Sequence, residues 1–459
     1  MTKSNLRKNP REIALDIVMD ITETKDDEAR FSHIVLNKTL KEYDFLDKQD
    51  RAFITRICEG TLERLITIDY IINQYSKVKV KKMKPLIRSL LRISVYQVKY
   101  MDRSPDFAIC NEAVKIAKKR GFYNLSGFVN GILRNIIRNP QSIVFPNEEK
   151  EPVKYLSTKY SAPEWMVSQF INQYSYEIAK LILEDSLVKK ETTIRCNKNK
   201  VSVSDLEKKL ISESVDVKEA NYLPYALKIS GYDSLDRLES FRQGLFTIQD
   251  ESSMLVGEIA SPKKNSLIVD VCAAPGGKSI HLAEKLENTG HVISRDLSQH
   301  KVNLINENVE RLGIDNISPQ AFNALELDKN LINKADLVLV DAPCSGLGVI
   351  SKKPDIKYNM TPESQKNLVE LQREILKVAS QYVKPGANLI YSTCTINKEE
   401  NEGNVKFFLD NFPFKLTSID SLLPKELRND DSKEGFLTLI PGVNKCDGFF
   451  IAKFTRIDS

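Results

Sequence analysis

The chain has 459 residues, 41% of them hydrophobic and 28% charged, a balance that suits a globular protein of two or three domains and excludes a disordered or low-complexity one. No run of roughly 18 uninterrupted apolar residues occurs, and the opening MTKSNLRKNP is polar where a signal peptide is apolar, so the expectation is a cytoplasmic protein with no membrane partner. The net charge of +5 divides unevenly: residues 1–150 hold 28 Lys+Arg against 19 Asp+Glu (+9), and residues 151–459 hold 39 against 43 (−4).

Residues 1–140 read as helices. Apolar residues from Phe53 to Ile72 recur at three- and four-residue steps within 47–75. Further amphipathic helices are predicted at about 86–101, 106–119 and 125–139, punctuated by Pro85, Pro105, Gly121 and Pro140. The basic excess lies here, densest in KVKVKKMKP at 77–85. It suits a polyanion, and a solvated helix face explains it equally well. Residues 1–145 are therefore assigned to an all-α domain. Residues 146–245 are read as a polar link followed by a small mixed α+β segment, with short strands at 192–196 and 226–229. The single tryptophan, Trp165, is read as a packed aromatic at a helix start. From 246 to 459, apolar strands at 267–271, 291–296, 317–322, 337–341 and 388–392 alternate with helices at 278–286, 299–312 and 362–382. That alternation predicts a parallel sheet covered on both faces, a doubly wound, Rossmann-like α/β domain.

Three motifs fall at the carboxyl ends of those strands, where an open parallel sheet binds its ligands. The first runs Asp270-Val271-Cys272-Ala273-Ala274-Pro275-Gly276-Gly277-Lys278-Ser279 and opens a helix. Two glycines let a ligand approach the backbone, and Asp296 at the end of the next strand is placed to accept from ribose hydroxyls. The G-x-x-x-x-G-K-[ST] spacing of a phosphate loop is absent. A charge-poor turn with a ribose-binding acid suits an adenosine carrying a sulfonium better than a triphosphate, although such a turn also serves purely as a strand–helix connection. The second motif, Asp341-Ala342-Pro343-Cys344-Ser345-Gly346, follows the strand ADLVLV; the third, Tyr391-Ser392-Thr393-Cys394-Thr395, ends the strand GANLIYS. A single cysteine is ordinarily a small buried hydrophobe, and Cys58, Cys110, Cys196 and Cys446 are read that way. Two at strand ends facing one crevice point to chemistry. The seven cysteines show no C-x-x-C spacing and only four histidines are present, so neither a metal site nor a disulfide framework is expected.

Together these motifs resemble the RNA cytosine-5 methyltransferase family, which includes the bacterial Sun/RsmB and nucleolar NOP-type proteins. Gly244-Leu245-Phe246-Thr247-Ile248-Gln249-Asp250-Glu251-Ser252-Ser253 resembles the family segment before the cofactor turn. Arg195-Cys196-Asn197 resembles its upstream arginine–asparagine motif, and Asp447-Gly448-Phe449-Phe450-Ile451-Ala452-Lys453 its closing strand. The N-terminal stretches DRAFITRICEGTLERL, LRISVYQVKYM, NEAVKIAK and FVNGILR resemble a NusB-type RNA-binding fold. That fusion is the arrangement of the subgroup that methylates 16S ribosomal RNA, so the resemblance implies small-subunit RNA as partner and S-adenosyl-L-methionine as cofactor.

The implied reaction explains the cysteines. Carbon 5 of cytosine is a poor nucleophile, and a thiolate adding at carbon 6 loads electron density onto it. Sulfur is both strongly nucleophilic and a good leaving group, and the base must be unstacked to be reached. Carried over residue by residue, the family pattern implies Cys394 as nucleophile, Cys344 as an aid to release, and Asp341 as the carboxyl group facing the cytosine ring near the cofactor. It implies Cys272, Ala273, Ala274, Pro275, Gly276, Gly277, Lys278 and Asp296 as the cofactor pocket. Lys278 either orients Asp341 or the cofactor, or simply caps the helix start. One departure stands out: where the family carries an acid that contacts adenine, this chain has Asn323, whose amide still offers a donor and an acceptor. A non-catalytic RNA-binding protein on the same scaffold, and the same reaction on transfer RNA or DNA, remain the competing readings; a monomer is the default state.

Overall fold

In the computed structural model, which describes residues 9–23, 32–43, 45–102 and 105–458, the chain forms two compact units. One comprises Met1–Val188 with Ile350–Asn359, the other Lys189–Val349 with Met360–Ser459. The first eight residues, read above as polar, lie outside the described residues.

The first unit is helical. Its early helices are Pro10–Glu23, Ser32–Glu42, Lys48–Glu63, Leu65–Tyr75, Pro85–Tyr100, Asp106–Lys119 and Ser126–Arg138. Helix Pro85–Tyr100 buries Leu86, Ile87, Leu90, Leu91, Ile93, Val95 and Tyr96. A helix apolar on so many faces is surrounded by others, and its start is preset by Pro85 at the first turn. Three more helices, Pro152–Tyr160, Glu164–Gln173 and Tyr176–Asp185, complete the unit, with Trp165 half-buried near the start of the second.

The apolar stretch 47–75 is two helices, because the chain breaks at Arg64 (φ −115°). The orphan carbonyls at that break find distant donors: Lys357 Nζ donates to Glu63 O at 2.6 Å and Tyr358 Oη to Leu62 O at 2.7 Å. A cation against a helix C-terminus is favourable, although burial pulls the Lys357 amine down to about 7.

The second unit contains two sheets. Strands β1 (Thr192–Cys196), β2 (Asp216–Glu219), β3 (Ala226–Ser230) and β4 (Phe246–Ile248) pair antiparallel in the order β2-β3-β1-β4. The larger sheet comprises β5 (Leu267–Asp270), β6 (His291–Asp296), β7 (Ile317–Ala321), β8 (Ala335–Asp341), β9 (Val383–Thr393), β10 (Phe414–Leu416), β11 (Phe436–Leu439) and β12 (Phe449–Arg456). Its order is β10-β12-β9-β8-β5-β6-β7, with β11 also on β12. Strands β5 to β9 are mutually parallel, as the alternating pattern predicts; β12 returns antiparallel to β9 and carries β10 and β11 antiparallel on its far side.

Both faces of this sheet are buried. Leu337 and Leu339 enter one apolar core while Val338 and Val340 enter another, and β9 splits Ile390 from Leu389 and Tyr391 in the same way. Alternate side chains of one strand thus serve opposite layers, which is why these strands read as unbroken apolar runs. Connections β5–β6 and β6–β7 run through helices Gly277–Lys285 and Gln299–Leu312, and β8–β9 through Pro362–Ala379. The consequence is a row of strand ends in the order β9, β8, β5, β6, β7 along one edge.

Candidate active site

The first motif forms the turn after β5. Asp270 is fully buried; it accepts from Cys272 N at 3.3 Å and from the Ser279 hydroxyl, so it ties the strand end to the following helix. Burial raises its carboxyl to about 7. Gly276 stands at φ +101°, a conformation open to glycine alone at little cost. A Cβ there would lie 3.1 Å from Ile305 Cγ2, whereas a Cβ on Gly277 would meet nothing within 4 Å. The start of the helix is pinned from β1, where buried Arg195 donates to Gly277 O at 2.9 Å and pairs with Glu284 at 3.1 Å.

One strand over, the Asp296 carboxylate accepts from Ala274 N at 3.0 Å and Leu297 N at 2.8 Å, and Lys301 lies 3.0 Å away. Next comes Asn323, after Phe322 N bonds Asp296 O. Its Oδ1 accepts from Leu325 N at 3.1 Å and its Nδ2 faces Glu326 at 3.3 Å. On the other side of the turn, Asp341 ends β8. Lys278 Nζ donates to Asp341 Oδ2 at 2.6 Å and Ser392 Oγ to Oδ1 at 2.8 Å, while Lys278 also lies over the Phe449 ring at 5.0 Å. Lys278 is thus bonded to Asp341 across the turn.

The two motif cysteines meet. Cys344 Sγ lies 3.3 Å from Cys394 Sγ, because Cys344 follows β8, Cys394 follows β9, and those strands are neighbours in register from Leu337 to Asp341. Cys272, Cys344 and Cys394 are partly accessible, and the other four cysteines are buried. The Cys394 thiol bonded to it, then burial, then the charges of Cys394 and Glu400 raise the Cys344 thiol above its ordinary range. Cys272 is likewise raised, chiefly by burial.

The structure therefore brings together every site residue expected from the sequence along one sheet edge, in the spatial order Cys394, Cys344 with Asp341, the turn 272–278, Asp296, Asn323. Among the described residues no group of three or more His, Cys, Asp or Glu could hold a metal ion, and no helix is long and apolar enough to cross a membrane. A separate polar cavity of about 460 Å³ is lined by Arg195, Tyr225, Glu258, His281, Glu284 and Lys285. None of Cys272, Cys344 and Cys394 lines it, and burial holds the His281 imidazole well below its ordinary value there.

Over 449 residues, 97% of this chain and 98% of the relative, the sequence is 36% identical to the probable ribosomal RNA small subunit methyltransferase B of Bacillus subtilis. The chain belongs to the RsmB/F methyltransferase family. The 16S rRNA methyltransferase RsmB/F family matches residues 258–455, the NusB family matches 8–138, and the RsmF/B-like ferredoxin-like domain matches 162–234. A second relative, the probable ribosomal RNA small subunit methyltransferase B of Synechocystis sp., is 30% identical over 97% of this chain and 99% of its own. Among solved structures, PH0851 superposes with a TM-score of 0.80 at 26% identity, covering 97% of this chain and 99% of that one. NSun6 from Pyrococcus horikoshii with SFG superposes with a TM-score of 0.57 at 25% identity, covering 65% and 99%.

The methyl donor of this RsmB/F protein is S-adenosyl-L-methionine, and the residues fit it. The space beside Gly277 is open. Asp296 has three donors, where a carboxylate offers about four lone-pair sites. Residues that sequence reasoning did not single out also shape the site: Ser392 and Phe449, which hold Asp341 and Lys278, and Glu400, in a polar cluster beneath the cysteines. Ser392 sat inside the motif that carries Cys394 and Phe449 inside the closing-strand motif, which was their signal; Glu400 had none, as one acid among several in KEENEG.

Proposed function

We propose that this protein transfers a methyl group to carbon 5 of a cytosine in 16S ribosomal RNA through a covalent bond between Cys394 and carbon 6. The observation that carries the reading is the 3.3 Å separation of the Cys344 and Cys394 thiols at neighbouring strand ends, beside Asp341 and the glycine turn. One cysteine suffices to add to a ring; a second beside it serves the reverse step.

Cys394 adds to carbon 6, and Asp341, gripped by Lys278 and Ser392, faces ring nitrogen 3 to stabilise or protonate the charge that builds there. S-adenosyl-L-methionine, when bound, supplies an electrophilic methyl to carbon 5. Residues Cys272 to Lys278, Asp296 and Asn323 would hold it, with the glycines leaving room for it and Asp296 offered to its ribose hydroxyls. Cys344 then assists release, in which carbon 5 loses its proton and the carbon–sulfur bond to Cys394 breaks. Residues 1–145 are the RNA-holding domain, 146–245 the link and mixed segment, and 246–459 the catalytic domain. The names of the relatives and the basic N-terminal part support small-subunit RNA as substrate, with the cytoplasm as the site of action.

Incubation with methyl-labelled cofactor and 16S ribosomal RNA, followed by digestion to nucleosides, tests the proposal. Label in 5-methylcytidine is expected. Label in another nucleoside, or none with the cofactor bound, would overturn it.

A further inference from the structure

Beneath the two thiols lies a carboxylate that the chemistry above does not use. Glu400 is fully buried, six residues after Cys394 at the end of the loop that leaves β9. Its Oε2 accepts from Ser345 N and from Gln372 Nε2, each at 2.9 Å, and its Oε1 accepts from Asn397 Nδ2 at 3.1 Å and from the Ser345 hydroxyl. Ser345 is the residue after Cys344, and Asn397 the third after Cys394. Gln372 Nε2 also donates to Pro343 O at 2.9 Å, on the other side of Cys344. The two cysteine loops are joined a second time by Ser345 Oγ and Thr395 Oγ1, 2.8 Å apart.

This cluster specifies its own orientation. Asn404 Nδ2 donates to Gln372 Oε1 at 2.7 Å, which turns the Gln372 amide so that its nitrogen faces Glu400 and Pro343. All four groups on Glu400 donate to it, two per oxygen, and three of them are N–H groups that cannot accept, so the site is built for a side chain that presents two acceptor oxygens. A buried side chain that binds the backbone beside one thiol and a loop residue beyond the other constrains the distance between them.

We infer that Glu400 is a positioning residue that sets Cys344 against Cys394. The inference rests on the proposed reaction for its functional meaning, while its geometric content stands apart from any RNA. The charge of Glu400 also adds to the effects that raise the Cys344 thiol.

Replacing Glu400 with glutamine keeps the shape and turns one oxygen into an NH₂ that faces two N–H donors in one amide orientation, and the Asn397 amide with the Ser345 hydroxyl in the other. The loops should separate. A misplacement of about 1 Å in such a site costs roughly a hundredfold in rate, so kcat is expected to fall about that much, with cofactor Kd within about twofold and RNA KM within about threefold of native. The readout independent of methylation is cross-linking by diamide, which takes up the two thiol hydrogens as the Cys344–Cys394 disulfide forms, followed by mass spectrometry of the linked peptides. Native protein should cross-link readily, and Glu400→Gln at least tenfold more slowly. Unchanged cross-linking, whatever the activity, overturns the inference. Should Glu400→Gln fail to bind cofactor, Ser345→Ala, which removes one of the four donors, decides instead: cross-linking about fivefold slower supports the role and native-like cross-linking refutes it. Native protein that cross-links but does not methylate cytosine would leave the positioning role standing and bring down the proposed reaction alone.

Discussion

Adding one methyl group to Gly276 and to Gly277 in turn should separate the stability of the cofactor turn from its ability to hold the cofactor. Gly276 lies at φ +101°, where a side chain costs about 1–3 kcal/mol of backbone strain. Its Cβ would also press within 3.1 Å of Ile305 Cγ2 and 3.4 Å of Ile280 Cδ1, both on the helices that flank the turn. Gly276→Ala should therefore lose about 2 kcal/mol of stability. Gly277 begins the helix, has no positive φ, and a Cβ there meets open space. In the isolated protein Gly277→Ala should be neutral or slightly stabilising, by up to about 1 kcal/mol, because alanine is the better helix former. That open space is where the cofactor is expected to approach, so Gly277→Ala should weaken S-adenosyl-L-methionine at least tenfold. Urea denaturation without ligand and calorimetric titration with the cofactor measure the two quantities. A Gly277→Ala protein that binds the cofactor as tightly as native would refute the argument that this glycine is there to admit a ligand. A Gly276→Ala protein of native stability would show that the turn relaxes more easily than its contacts imply.

Other outcomes follow from the same geometry. Lys278→Met leaves Asp341 with only Ser392 as a partner; methylation should fall about a hundredfold, and stability on the order of 1 kcal/mol, in single-turnover assays and denaturant titrations. Asp270 has a folded-state carboxyl raised to about 7 from an ordinary 3.8, so the stability it contributes is full below the ordinary value and is lost as pH rises through 7. Native protein should lose on the order of 1 kcal/mol more than Asp270→Asn between pH 6 and pH 8, measured by urea midpoints; equal slopes would contradict a buried, protonation-linked Asp270. Asn323→Asp restores the acid usual in the family, and calorimetry should show cofactor affinity equal to or above native; a weaker cofactor would mean that the Asn323 amide is itself suited to the adenine.

The parts of the fold written as local periodicity were legible in the sequence. Strands β5, β8 and β9 bury apolar residues on both faces, so each reads as a run that no loop or surface helix would carry. The meeting of Cys344 and Cys394 needed one further step, the adjacency of β8 and β9, which crossover connections favour without naming which strands are neighbours. What stayed hidden depended on partners far away in the chain. The break at Arg64 makes sense once Lys357 and Tyr358 supply donors to Leu62 and Glu63 from almost 300 residues on. Helices within 152–185 are short, and their buried residues face neighbours that local patterning does not reveal. The antiparallel addition of β10, β11 and β12 is a matter of tertiary pairing, since a short apolar strand looks the same in either direction. Glu400 reads in sequence as one acid among several in KEENEG; only folding shows that four donors converge on it.

Which sulfur adds to the base is decided most directly by a pair of serine variants. Cys344→Ser protein incubated with cofactor and substrate RNA, then digested and examined by mass spectrometry, should carry a methylated cytosine nucleotide bonded to Cys394, and Cys394→Ser should carry none and methylate nothing. An adduct on Cys344 in the Cys394→Ser protein, or methylation retained without Cys394, would contradict the assignment.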